Sequence, residues 1–442
     1  MKSPRPLTLA IALAGLFAGS VQAQNLVDVF NMARGYDASY QAARAQYESD
    51  LYRAAQAKAG LLPTVGLSAG ANWTTFDNTT GPVNTNRDFS STNGSVSASQ
   101  PLYRPAAYAT YEQSEKQVVA AKARLTAAEQ DLILRVTVAY FEVLSAQDNL
   151  GLVQAQKKAV AEQLAVAKRN FEVGVSTITD TRESEARYDQ IVAAEIGTEN
   201  DLQVKRLALD QLVGKPGIQP KPLAIPFTPP PLNPPTVDAW VAISATSHPA
   251  VIQNQVQIQL AKLETQKAEA GHKPTVDLVA SYGASRFPGG STTTGYSTNT
   301  NSGNIGVSLN WSLFNGFAVQ NRIKETLSLE DKAQADLLAT ERTVAQSTRS
   351  AFYGLKSGMS QVKALETAVA STQSAVDSNL LGYQVGVRIN LDVLNSQSQL
   401  FLTKRDLDQT RYSVLTGGLK LRLAAGTLTP EDLEAVNAFL AR

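Results

Sequence analysis

Few side chains in this 442-residue chain could do chemistry. It has no cysteine, which removes a thiol nucleophile, a disulfide framework and a thiolate-held zinc or iron–sulfur site. The two histidines, His248 and His272, are too few for a histidine metal centre and read most simply as surface residues. Acidic pairs such as Glu183 and Glu185 fall on helical stretches, where solvated surface explains them. No phosphate-cradling glycine loop, nucleophile elbow or HExxH motif is present, and Gly289-Gly290 sits in a polar loop that starts no helix. A net charge of +1 leaves no electrostatic footprint for nucleic acid. No cofactor, metal or nucleic-acid partner is expected, and an enzyme is the least favoured class.

What remains is a small polar set beside two Val-Gly-Val turns. Asp180 and Asp392 stand at matched places just after those turns, where the positive end of a helix dipole favours an acid. The elements that place them come from a duplication. Gly60-Leu61-Leu62-Pro63-Thr64-Val65 matches Gly271-His272-Lys273-Pro274-Thr275-Val276 at an offset of 211. Ala139-Tyr140-Phe141 matches Ala351-Phe352-Tyr353, and Phe171-Glu172-Val173-Gly174-Val175 matches Tyr383-Gln384-Val385-Gly386-Val387, both at 212. Unrelated helices would not keep that register along the chain.

Each copy predicts a helical stretch (25–60; 237–271), two strands around a polar loop, a very long helix (106–173; 318–385) and a medium helix (176–213; 388–425). The first long helix contains no proline and one glycine, Gly151, so it can run unbroken for roughly 100 Å. The medium and first helices would each reach about 55 Å, so two stacked end to end match one long helix. Frequent alanines let neighbouring backbones approach, while Leu132, Ile133, Val136, Tyr140, Val143 and Leu144 fill the seam.

The strands alternate with a period of two. Val65, Leu67, Ala69, Ala71 and Trp73 share one face, as do Val96, Ala98, Gln100 and Leu102. Val276, Leu278, Ala280, Tyr282 and Ala284, then Ile305, Val307, Leu309, Trp311 and Leu313, repeat the pattern. The opposite faces are small and hydrophilic, which suits a wet lumen with the apolar face toward lipid; a soluble sheet with its polar face in solvent fits the strands as well. Residues 76–92 and 285–301, rich in Asn, Thr, Ser and Gly, are expected as exposed loops.

Such strands are long enough to cross a tilted bilayer path. Four strands cannot close a barrel, and open edges are not tolerated in lipid. Two copies would give eight strands and a filled lumen; three would give twelve and leave a passage. A coiled-coil structural or adhesive protein without a pore is the alternative. It explains the helices but not two strand pairs of membrane length at matched places.

Residues 1–23 read as a signal peptide: Lys2 and Arg5, an apolar core from Leu7 to Val21, and a small-x-small site at Val21-Gln22-Ala23. The expected organisation continues with a first structural repeat over 24–215 and a Pro-rich linker over 216–235 at the equatorial region. A second repeat over 236–426 and a C-terminal segment over 427–442 complete it.

With these residues assembled, the chain resembles the TolC family of outer-membrane efflux proteins over essentially its whole mature length. The most specific elements are Phe171-x-Val-Gly-Val-Ser-Thr-Ile-Thr-Asp180 and Gly382-Tyr-Gln-Val-Gly-Val-Arg-Ile-Asn-Leu-Asp-Val-Leu394. Gly60-Leu-Leu-Pro-Thr64, Pro101-Leu-Tyr103, Trp311-Ser-Leu-Phe-Asn-Gly316 and Ala424-Ala-Gly-Thr-Leu428 add to them. The resemblance implies an α+β membrane protein in which each tandem-repeat subunit gives four strands to a shared trimeric 12-stranded β-barrel. A long periplasmic α-helical barrel of antiparallel coiled coils continues it.

It further implies an exit duct in the cell outer membrane with its helical part in the periplasm, serving multidrug efflux or type I secretion. The expected partners are two further copies of the chain, outer-membrane lipid, a periplasmic adaptor (membrane fusion) protein and an inner-membrane translocase of RND, ABC or MFS type. The resemblance places a tip gate network at Thr179, Asp180, Tyr383 and Arg388. Tyr383 would bond Asp180 within a subunit, and Arg388 would reach Asp180 and Thr179 of the neighbour. It places adaptor contact at the turns, on Gly174, Val175, Gly386 and Val387. The pore constriction falls at Asp392 and Asn395. The family pattern has two aspartates there, so Asn395 leaves one carboxylate ring.

Overall fold

The fold was taken from a computed structural model, which describes residues 24–80, 82–229 and 231–441. The expected signal peptide lies outside them. Two compact units emerge, and each draws on both sequence copies. One contains Arg44–Arg124 and Ala250–Glu341; the other contains Leu125–Pro249, Arg342–Arg442 and the described residues up to Ala43.

The first of these units holds the four-stranded sheet, ordered β1-β2-β3-β4: β1 (Thr64–Thr80), β2 (Val83–Tyr103), β3 (Thr275–Phe287) and β4 (Thr298–Asn310). Every neighbouring pair is antiparallel. The register turns the alternation of each strand into rows that cross the whole sheet. Val65, Ala98, Ala280 and Ile305 form one row, and Leu67, Val96, Tyr282 and Gly303 another on the same face. Between them run Gly66, Ser97, Ser281 and Asn304, then Ser68, Ser95, Gly283 and Ser302. The Ser68 and Ser95 hydroxyls share a hydrogen bond of 2.7 Å. The described residues leave the apolar face uncovered: Leu67 is 80% exposed, Trp73 73% and Ile305 76%.

The strands depart from expectation in two places. Residues 76–92, expected as a loop, mostly continue the first hairpin: Phe76 faces Arg87 and Trp73 faces Ser90. Thr74, Thr75, Phe76 and Thr79 favour extended backbone, and that outweighs the polarity which suggested a loop. In the second hairpin, β3 stops at Phe287 before Pro288-Gly289-Gly290. Trp311 and Leu313, expected within the last strand, lie beyond it. The ladder ends at the pair Thr275–Asn310, because the preceding Pro274 has no N–H to extend it. Trp311 instead donates through Nε1 to the His272 carbonyl at 3.0 Å.

The helices are α1 (Leu26–Tyr36), α2 (Ala38–Lys58), α3 (Pro105–Glu172), α4 (Ile178–Val213), α5 (Val237–Ser247), α6 (Pro249–Glu269), α7 (Ala318–Gln384), α8 (Asn390–Ala425) and α9 (Asp432–Asn437). The long helices α3 and α7 run for 68 and 67 residues. Each expected first helix is broken in two. Pro249 disfavours helical backbone at His248. Asp37 leaves helical angles, and its carboxylate accepts from the Tyr40 N–H at 2.7 Å, starting α2 afresh. In the sheet-bearing unit, Glu264 of α6 accepts from Gln113 of α3 at 3.0 Å and Arg322 of α7 at 2.8 Å. These bonds, led by that of Gln113, hold its carboxyl below the usual range.

The other unit has the larger core. Leu26, Val29, Leu132, Ile133, Val136, Tyr140, Leu209 and Leu433 are fully buried in it. The linker closes over this core by pairing with both ends of the described chain. The Gln24 N–H donates to Gln219, and that of Ala224 to Phe439, each at 2.8 Å. The buried Tyr140 hydroxyl accepts from the Lys221 N–H at 2.7 Å and donates to the Gln24 carbonyl at 2.9 Å.

Candidate functional site at the paired helical turns

The same backbone device ends α3 and α7. Gly174 and Gly386 adopt φ of +78° and +81°, a left-handed conformation open to glycine at little cost. The Gly174 N–H reaches the Phe171 carbonyl at 3.0 Å, and that of Val175 reaches Asn170 at 2.9 Å. Gly386 to Tyr383 at 3.1 Å and Val387 to Gly382 at 2.9 Å repeat it. This double bond pattern uses up orphan helix carbonyls while reversing the chain. It leaves the valines outward, Val175 at 72% and Val387 at 75% exposure.

The helices leaving the two turns start differently, and the difference decides what each aspartate does. Thr177 caps α4: its hydroxyl accepts from the Asp180 N–H at 3.2 Å, and the Thr177 N–H donates to the Asp180 carboxylate at 3.1 Å. Asp180 is therefore half of a capping box. At the matching place in α8 stands Ile389, which has no acceptor. The Asp392 carboxylate is left out of any cap and lies 3.7 Å from Arg388.

The intrasubunit bond from Tyr383 to Asp180 implied by the resemblance is not the one formed. The Tyr383 hydroxyl accepts from the Asn170 side-chain amide at 3.3 Å, linking the ends of α3 and α7. Asp180 is occupied by Thr177, whose hydroxyl lies 3.0 Å from the same carboxylate oxygen. Thr179 and Arg388 are exposed. The Arg388 stem lies over Gly382, where a Cβ would come within 2.7 Å of Arg388 Cγ. Asn395 is exposed and accepts from Arg187 Nη2 of α4 at 3.1 Å.

Beneath these residues lies a polar layer that reading along the chain had not singled out. Gln163 of α3, Ser184 of α4 and Asn390 of α8 are buried side by side. Asn390 accepts from Gln163 at 2.6 Å and donates to Ser184 at 2.6 Å. Polar residues on long helices read as solvated surface until the three helices are set in register. Among the described residues no group of three or more His, Cys, Asp or Glu could hold a metal.

An arrangement of polar side chains on the flanks of two matched reversals, with no nucleophile or metal set, can hold helices together and let them go. The wider similarities agree. A family profile described as outer membrane efflux protein matches residues 29–215 and 241–427. The chain is 30% identical to the outer membrane protein TolC of Vibrio cholerae over 442 residues, covering 100% of this chain and 99% of that one. It is 30% identical to the proteases secretion protein PrtF of Dickeya chrysanthemi over 445 residues, covering 98% and 94%. The crystal structure of the outer membrane protein VceC of Vibrio cholerae shares the fold, with a TM-score of 0.78 at 18% identity over 91% of this chain and 96% of that one. Two matched repeats of this kind, each with its strand pair and reversed helix pair, place the chain in the outer membrane efflux protein family, to which it belongs.

Proposed function

We propose that this chain is one of three subunits of an outer-membrane exit duct, a passive channel opened at its paired turns by an adaptor and an inner-membrane translocase. One observation carries the assembly. Among the described residues nothing covers the sheet's apolar face, and the edge strands β1 and β4 have no second partner. In lipid every ladder group needs a partner, so the edge of one copy must pair with that of the next. Twelve strands from three copies enclose a passage; eight from two would be filled by side chains.

The family is one of outer membrane efflux proteins, and one of the relatives named above is a proteases secretion protein. The wet face of serines, glycines and asparagines suits passage of polar cargo. Thr179, Asp180, Tyr383 and Arg388 form the gate in this reading, with Asp392 and Asn395 at the constriction. The outward valines of the two turns, with Gly174 and Gly386, offer an adaptor a matched pair of small apolar knobs. Its translocase partner is of RND, ABC or MFS type.

Single-channel recording tests the gate. Arg388→Ala removes the cation beside Asp392, and the resting conductance should rise severalfold. Parental conductance in that variant would refute the assignment.

A further inference from the structure

A buried asparagine in the first turn of a helix is unfavourable unless its amide is fully occupied. Asn390 is completely buried, and its partners all come from the other hairpin. Its Oδ1 accepts from Gln163 Nε2 of α3 at 2.6 Å. Its Nδ2 donates to Ser184 Oγ at 2.6 Å and to the Asp180 carbonyl at 3.2 Å, both on α4. The Ser184 hydroxyl donates in turn to the same carbonyl at 2.9 Å. Asparagine is a good capping residue, yet here it turns away from its own helix end.

The same three helices meet again one layer further from the turns, at Val160, Ile191 and Leu394. Val160 precedes Gln163 by three residues, Leu394 follows Asn390 by four and Ile191 follows Ser184 by seven, so each pair shares a helix face. Polarity is confined to the layer nearer the turns.

We propose that Gln163, Asn390 and Ser184 form an intrasubunit latch that ties α8 to the α3–α4 hairpin in the closed tip, with Asn390 as a positioning residue for the gate. This rests on reading the turns as the gate. Apolar contact is non-directional and allows gradual sliding. A hydrogen-bonded amide layer does not, because a displaced Asn390 and Gln163 are orphaned before water can reach them, and an orphaned buried group costs more than a formed bond gains. The layer therefore favours two positions of α8, fully paired or fully wetted. It sets register as a lone buried asparagine does in a coiled coil.

Bilayer recording of four channels tests this: the parent, Asn390→Ala, the double variant Gln163→Leu/Asn390→Leu, and Arg388→Ala. Asn390→Ala strands the Gln163 amide, and open-state occupancy should rise about tenfold, the equivalent of one orphaned buried group. The double variant removes both ends of that bond and leaves Ser184 on the Asp180 carbonyl, so it should close again toward the parent. A simple packing defect would not recover in this way. If Arg388→Ala opens the channel and Asn390→Ala does not, the latch is wrong and the gate stands. If neither opens it, the gate reading fails and the latch with it. A double variant as leaky as the single also overturns the latch. Should Asn390→Ala not assemble, Ser184→Ala removes one acceptor from the same layer; a smaller rise supports the latch and an unchanged conductance overturns it.

Discussion

At the scale of residues, the two aspartates after the turns show how one neighbour decides a role. Asp180 caps its helix because Thr177 precedes it; Asp392 is left out of a cap because Ile389 precedes it, and it pairs with Arg388 instead. Asn395, bonded to Arg187, gives the constriction proposed at Asp392 and Asn395 a neutral group with a cation attached. Asn395→Asp should therefore increase cation selectivity and blockade by multivalent cations in single-channel recording. Adding Arg187→Gln should increase them further, since the cation beside the new carboxylate is gone. Unchanged cation affinity in both would remove this pair from the constriction.

A second residue-scale prediction concerns a half-buried acidic pair in the core-bearing unit. Asp148 accepts from the Tyr412 hydroxyl at 2.5 Å, and Asp408 accepts from Arg411 at 3.2 Å. Burial pushes both carboxyls up, and for Asp408 the charge of Asp148 adds to it. A raised acid binds its proton more readily folded than unfolded, so this pair lowers stability at neutral pH and the loss is relieved as pH falls. Asp37 has the opposite sign. The Arg135 hydrogen bond holds its carboxyl low, and its contribution is present at neutral pH and disappears on acidification through that lowered value. Asp148→Asn should raise the melting temperature at pH 7 and have less effect near pH 5. A lower melting temperature at pH 7 would contradict this.

At the scale of elements, the capping box gives a test of how firmly the turns are built. Thr177→Ala should cost about 1 kcal/mol, seen as faster hydrogen exchange in the first turn of α4 and not in that of α8. Equal exchange in both would show that the box contributes nothing. Much at this scale was legible in the sequence. The 212-residue offset between Gly174 and Gly386 located both reversals, and their backbone angles differ by only 3°. The long helices lie within a residue of where absent proline and scarce glycine put them. The break at Asp37 was not legible, because an aspartate within an otherwise helical stretch carries no signal until its side chain bonds Tyr40. The first hairpin was longer than its polar residues suggested, since threonine serves strands and loops alike. The layer around Asn390 was hidden for a different reason: its three members are 21 and 206 residues apart along the chain, and only helix packing brings them together.

At the scale of the whole molecule, the sheet ties the protein to its neighbours. Its cross-strand rows sort small polar residues to one face and apolar ones to the other, yet Leu67 and Ile305 stay more than three-quarters exposed. A soluble sheet of four strands would bury that face under a helix of its own chain. Lipid on one side, water on the other and copies of the chain at both edges satisfy every group at once. The most direct test is the mass of the particle extracted from membranes in mild detergent, measured by native mass spectrometry. Three chains per particle is the predicted result; a single chain, stable in water with no detergent bound, would contradict the account.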